Sequence, residues 1–111
     1  MKKEFLPLSS STLSVLKTLG AMIRAARLER GMSQAELSRR LGVSRYTVIS
    51  LEKGEPKVSV GTVFEAATIV GIPLLAEDQR TLHKLATTVA NLTSVLPERS
   101  QRKKVAVTDD F

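Results

Sequence analysis

Ser44-Arg45-Tyr46-Thr47 is the run richest in groups that could recognise another molecule. An arginine guanidinium pairs bidentately with guanine O6 and N7, for about 1–3 kcal/mol of discrimination against another base. A neighbouring tyrosine can touch a thymine methyl or a phosphate, and the hydroxyls of Thr47 and Ser50 can bond to bases or backbone. Gln34 opens the preceding predicted helix, where a side-chain amide and backbone N–H groups suit a phosphate. Lys53 and Lys57 stand at the far end of the same stretch, placed for further phosphates. Each cation taken alone reads as an ordinary solvated charge. Together, in one short stretch, they favour nucleic-acid contact.

Catalytic chemistry has less to work with. His83 is the single histidine, and no second ligand follows it at the four-residue helical spacing that metal sites use. The chain has no cysteine, which removes disulfides, zinc–thiolate sites and thiol nucleophiles together. No glycine-rich phosphate loop is present, and no base-and-orienter set accompanies the serines. Asp109-Asp110 reads as a solvated end rather than a catalytic dyad. The expectation is a non-enzyme with neither cofactor nor metal.

The elements that would position the first set are written in serines and glycines. Ser33 and Glu36 stand at capping-box spacing and predict a helix from about Ser33 to Leu41, with Leu37, Ser38 and Leu41 inward. Gly42 then supplies a positive φ. Ser44 caps a further helix to about Lys53, with Val48 and Leu51 buried, Arg45, Tyr46, Thr47 and Ser50 near its start or outward, and Gly54 ending it. Two short helices joined by a glycine turn make a helix-turn-helix, whose second helix enters the DNA major groove with its N-terminal residues at the base edges.

The flanks support this unit. Leu13, Leu16, Leu19, Ile23, Ala26 and Leu28 predict a helix capped by Ser10, Ser11 or Thr12 and stopped by Gly31. Gly20 weakens it by roughly 1 kcal/mol relative to alanine, or else serves close packing. Ser59 caps a fourth helix whose stripe is Val63, Phe64, Ala67 and Val70, ended by Gly71. Leu82, Leu85, Val89, Leu92 and Leu96 then recur at 3, 4, 3, 4 spacing, stopped by Pro97. Two heptads are too few for a coiled coil. This fifth helix either packs on its own domain or, through Leu85, Val89 and Leu92, meets a second copy or another partner.

The expected organisation is an arm (1–10), a helix-turn-helix domain (11–75), an additional helix (76–97) and a tail (98–111). One domain is also what 111 residues suggest. The net charge of +6 favours anionic partners without choosing a sequence. No apolar run is long enough to span a bilayer. Lys2 and Lys3 precede no continuous apolar segment, so no signal peptide is read and the expected home is the cytoplasm, on the nucleoid.

Residues 19–72 resemble the helix-turn-helix of the phage lambda repressor and Cro class, the Xre family. The signature is Ser33-Gln34-x-x-Leu37, Gly42-Val43-Ser44 and Val48-Ile49-x-x-Glu52-x-Gly54. Ser38 stands where alanine is usual. The resemblance implies an all-α fold of four to five helices. It also implies a phosphate contact at Gln34, groove-facing Arg45, Tyr46 and Ser50, and a structural ion pair between Arg27 and Glu52. Leu19-Gly20-x-x-Ile23-Arg24-x-Ala26-Arg27-Leu28 and the closing Asp109-Asp110-Phe111 are more narrowly similar to HipB-like antitoxins. Those proteins repress their own operon as dimers and bind HipA-like kinase toxins, for which the fifth helix and a pocket-filling Phe111 would be the contacts. The expected function is a dimeric, operator-binding repressor of this kind. The alternatives are a free-standing repressor, or an adaptor that binds protein and not DNA.

Overall fold

The computed structural model describes residues 7–97. They form five helices: α1 (Ser10–Glu29), α2 (Gln34–Leu41), α3 (Arg45–Glu52), α4 (Val60–Val70) and α5 (Gln79–Val95). The fold is all-α. Two compact units divide between Leu74 and Leu75, with α1–α4 in the first and α5 in the second. Residues 1–6 of the expected arm and 98–111 of the expected tail, Phe111 included, lie outside the described residues.

Each helix of the first unit starts on a serine whose side chain accepts an orphan N–H of the first turn: Ser9 from Thr12, Ser33 from Glu36, Ser44 from Thr47 and Ser59 from Thr62. The cap of α1 is thus one residue earlier than the Ser10–Thr12 window. The Ser33 cap is one half of a capping box. The Glu36 carboxylate does not complete it, but reaches forward to Arg40 at 2.7 Å. Gly42 takes φ 71 and turns the chain from α2 into α3.

The core is aliphatic. Ile23, Leu37, Val48, Leu51, Ala66, Ala67 and Val70 are buried, joined by Met32 and Val63. Burying one of the larger aliphatic side chains stabilises by about 1.5–3 kcal/mol. The predicted stripes need two corrections. Leu28 and Phe64 are about half exposed, and Arg27 and Ala66 occupy the inward positions instead. Both errors have one cause: a helix buries a stripe roughly 100° wide, and residues at its margin are exposed or covered according to which neighbour lies opposite.

Gly20 resolves in favour of packing. A Cβ there would meet the Leu51 carbonyl oxygen at 2.6 Å and that of Glu52 at 2.8 Å, so α1 and α3 touch backbone to backbone. Gly54 has the same role at the end of α3. It combines φ 75 with a close approach to α1: a Cβ added there would stand 2.6 Å from the Lys17 Cα. These two contacts set how deeply α3 sits against α1.

The second unit is α5, capped by Asp78, whose carboxylate accepts the Thr81 N–H at 2.7 Å. That bond holds the Asp78 carboxyl below the ordinary aspartate range. The helix ends at Val95, two residues before Pro97. None of its residues is buried; Leu85, Val89 and Leu92 are exposed.

Candidate nucleic-acid interface

α3 has one face held from below and one left open. Val48, Ser50, Leu51 and Glu52 are buried, while Ser44, Arg45, Tyr46 and Lys53 are exposed and Thr47 is partly so. The buried end is fixed by charge as well as by packing. Arg27 Nε donates to Glu52 Oε2 at 2.5 Å, Arg27 Nη2 donates to Glu52 Oε1 at 3.1 Å, and Arg27 Nη1 donates to the Met32 carbonyl at 2.8 Å. The pair is bidentate and buried on both sides, the geometry in which an arginine–carboxylate pair is strongest. Gln34 Nε2 donates to Glu52 Oε1 at 3.2 Å. One carboxylate therefore ties α1, α2 and α3 together.

That network has a consequence for Gln34. One of its amide hydrogens is committed to Glu52, which fixes the side chain and leaves the second for a ligand. The first-turn N–H groups of α2 have no helical acceptor. Beside them lies a shallow depression lined by Arg24, Arg27, Ser33, Gln34, Ala35 and Arg45. Two exposed guanidinium groups, the Gln34 amide and a helix N-terminus converge there, a donor set suited to a phosphate oxygen. Arg24 is a residue that sequence reasoning missed as a contact. Its only signal is its place one turn before Arg27, and its partners become visible only once α1 and α2 are packed.

A second depression lies on the other side of α3, where Tyr46, Thr47 and Ser50 face Lys57, Ser59 and Thr62. Lys57 Nζ donates to the Tyr46 hydroxyl at 2.7 Å and stands 4.6 Å from the ring centroid. It also lies 3.5 Å from a Glu55 carboxylate oxygen. The Lys57 hydrogen bond is the main reason the Tyr46 phenol is held below its ordinary pKa, and the same bond raises that of Lys57. Glu55 is held below the usual carboxylate range chiefly by the Ser50 hydroxyl.

Ser50 requires a correction. It was expected on the outward face, yet it is only 2% exposed. Helical spacing does place it one turn beyond Tyr46 and Thr47, but it is buried with Val48, Leu51 and Glu52, and its carbonyl accepts the Glu55 N–H at 3.1 Å where Gly54 ends the helix. At that burial it does not stand on the exposed outer face with Arg45 and Tyr46, but lines the floor of the second depression. Of the remaining expected residues, Gln34 and Arg45 line the first depression and Tyr46, Thr47 and Lys57 the second, while Ser44 and Lys53 are exposed. The Ser44 hydroxyl is occupied by its cap, accepting the Thr47 N–H at 3.1 Å. Leu85, Val89 and Leu92 belong to the second unit. Among the described residues, no group of three acidic, histidine or cysteine side chains is placed to hold a metal.

Two short helices meeting at a left-handed glycine, with the second open to solvent along its N-terminal side, define a helix-turn-helix. The helix-turn-helix family pattern matches residues 23–75. An uncharacterised HTH-type transcriptional regulator of Methanothermobacter thermautotrophicus is 42% identical over 50 residues, which is 45% of this chain and 72% of that protein. The uncharacterised HTH-type transcriptional regulator y4mF of Sinorhizobium fredii is 33% identical over 64 residues, covering 56% of this chain and 84% of its own length. The chain belongs to the helix-turn-helix family of DNA-binding transcriptional regulators. No helix among the described residues is long and apolar enough to cross a membrane.

Proposed function

We propose that this protein is a sequence-specific repressor that lays α3 in the major groove of operator DNA. The observation that carries this is the open N-terminal side of α3, with Arg45 and Tyr46 exposed above a buried Arg27–Glu52–Gln34 network. A recognition helix must be rigid to discriminate bases, because each side chain it presents has to arrive in register with a base edge. Arg45 would read a guanine, Tyr46 and Thr47 would touch bases or backbone, and Lys53 would meet a phosphate. Gln34, with Arg24 beside it, would hold the phosphate that fixes the register.

One such module meets too few base pairs for useful specificity, so binding as a two-fold pair on a pseudo-palindrome is part of the proposal. The exposed Leu85, Val89 and Leu92 on α5 support a protein contact by this helix, with a second copy as the first candidate. The finer identity, a HipB-like antitoxin repressing its own operon and bound by a HipA-like kinase toxin, rests on Leu19–Leu28 and the Asp109-Asp110-Phe111 end. Co-purification of a kinase-like protein tests it, and a lone homodimer in its place would favour a free-standing repressor. The cytoplasm, at the nucleoid, is the corresponding site of action.

Arg45→Ala tests the base-reading role. The variant should keep its fold and lose preference at a single base position of a selected duplex, by about 1–3 kcal/mol. An unchanged base preference would remove Arg45 from that role. A Gln34→Ala variant supplies the contrast, since a phosphate contact weakens all duplexes alike.

A further inference from the structure

By sequence position Lys57 is one more cation for the DNA backbone. Its surroundings give it a different task. The ammonium is already committed: it donates to the Tyr46 hydroxyl at 2.7 Å, lies 4.6 Å from that ring's centroid, and has the Glu55 carboxylate at 3.5 Å. The carboxylate within salt-bridge distance offsets part of its charge, which lowers its value to a phosphate.

Tyr46 is the side chain that gains. It is 62% exposed on the open side of α3, where a phenol ring would ordinarily exchange among rotamers on a fast timescale. The ring is instead held at its tip by Lys57 and lines the same depression as Ser50. Lys57 in turn follows the turn that ends α3, where the Glu55 N–H bonds the Ser50 carbonyl at 3.1 Å. The chain of support thus runs from the end of α3, through Glu55 and Lys57, back to the second residue of α3. An acceptor lone pair of the phenol oxygen is occupied by Lys57, which polarises the O–H and favours its use as a donor.

We propose that Lys57 is a positioning residue for base recognition: it holds Tyr46 in the rotamer from which the phenol O–H donates to a major-groove acceptor, N7 of a purine, O6 of guanine or O4 of thymine, and it neutralises no phosphate itself. The inference rests on the DNA-binding function proposed above.

Two measurements test it. The first needs no DNA. Tyr46 is the single tyrosine and the chain has no tryptophan, so the ultraviolet titration of tyrosinate reports Tyr46 alone. Lys57→Met should move its midpoint upward and Lys57→Arg should largely restore it; a midpoint indifferent to Lys57→Met would overturn the pairing. The second uses a library of random-sequence duplexes. Lys57→Met and Tyr46→Phe should lose preference at the same base position, the double variant should lose no more than either single one, and Lys57→Arg should rescue. The slope of log affinity against log salt should be the same for Lys57→Met as for the wild type. A Lys57→Met variant that keeps its base preference while its salt slope drops by about one unit would make Lys57 a phosphate contact and overturn the inference alone. A wild type that binds no duplex would bring down the DNA-binding function and this inference with it.

Discussion

α3 and α5 both carry apolar residues at helical spacing, and they end in opposite states. α3 has eight residues and buries four of them, Glu52 included; α5 has seventeen and buries none. Hydrophobic period alone does not separate them. The difference lies in what each helix is given to lie against. α3 is met by a glycine on α1 that lets two backbones touch, and by an arginine on α1 that fills its last carboxylate. α5 has the stripe without a glycine notch or a buried ion pair. A helix committed to its own core is therefore marked by its polar and small residues as much as by its leucines.

The largest effect on this comparison should come from the ion pair. Glu52→Ala strands a buried guanidinium and should cost about 3–5 kcal/mol of unfolding free energy in a urea titration. The double variant Arg27→Met with Glu52→Leu should recover much of it, because replacing a buried pair by apolar groups of similar volume is often neutral. A loss below about 1 kcal/mol for Glu52→Ala would place the pair in solvent-like surroundings.

Gly20→Ala should come next, and its sign is informative. Helix propensity favours alanine by about 1 kcal/mol at an interior position. The added Cβ would stand 2.6 Å from the Leu51 carbonyl oxygen, and overpacking of this kind typically costs about 1–3 kcal/mol. The variant should melt at a lower temperature than the wild type. A higher one would mean that α1 and α3 are not in backbone contact.

The smallest effect on folding should come from α5. Val89→Asp with Leu92→Asp alters two exposed side chains and should change the unfolding of the first unit by less than about 0.5 kcal/mol. It should also halve the mass seen by sedimentation, if this face joins two copies. An unchanged mass would assign the pairing surface elsewhere.

The sequence made the turn chemistry legible. Ser33, Ser44 and Ser59 cap the helices they were expected to cap, and Gly42 turns left-handed where a positive φ was required, because both are local effects of a side chain on its own backbone. Side-chain environment was less legible. Leu28 and Phe64 fit a helical stripe and are still half exposed. Ser50 fits the outer face by its spacing and is buried all the same, because periodicity describes a helix's own faces and says nothing of what packs against them. Arg24 was missed because its neighbours Ser33, Gln34 and Arg45 are distant in sequence and adjacent only after α1, α2 and α3 pack. The Arg27–Glu52 pair spans 25 positions. It was anticipated through resemblance to a family, and no spacing within the chain would have given it.

The most direct measurement is the dependence of duplex affinity on salt. A protein that lays α3 in a groove, with Arg24 and Lys53 near phosphates, should show log affinity falling linearly with log salt, at a slope of about −0.9 for each phosphate neutralised. The slope should be shallower for an Arg24→Ala variant. Absence of duplex binding at low salt, or an affinity indifferent to salt, would contradict the account and leave α3 as a surface for some other partner.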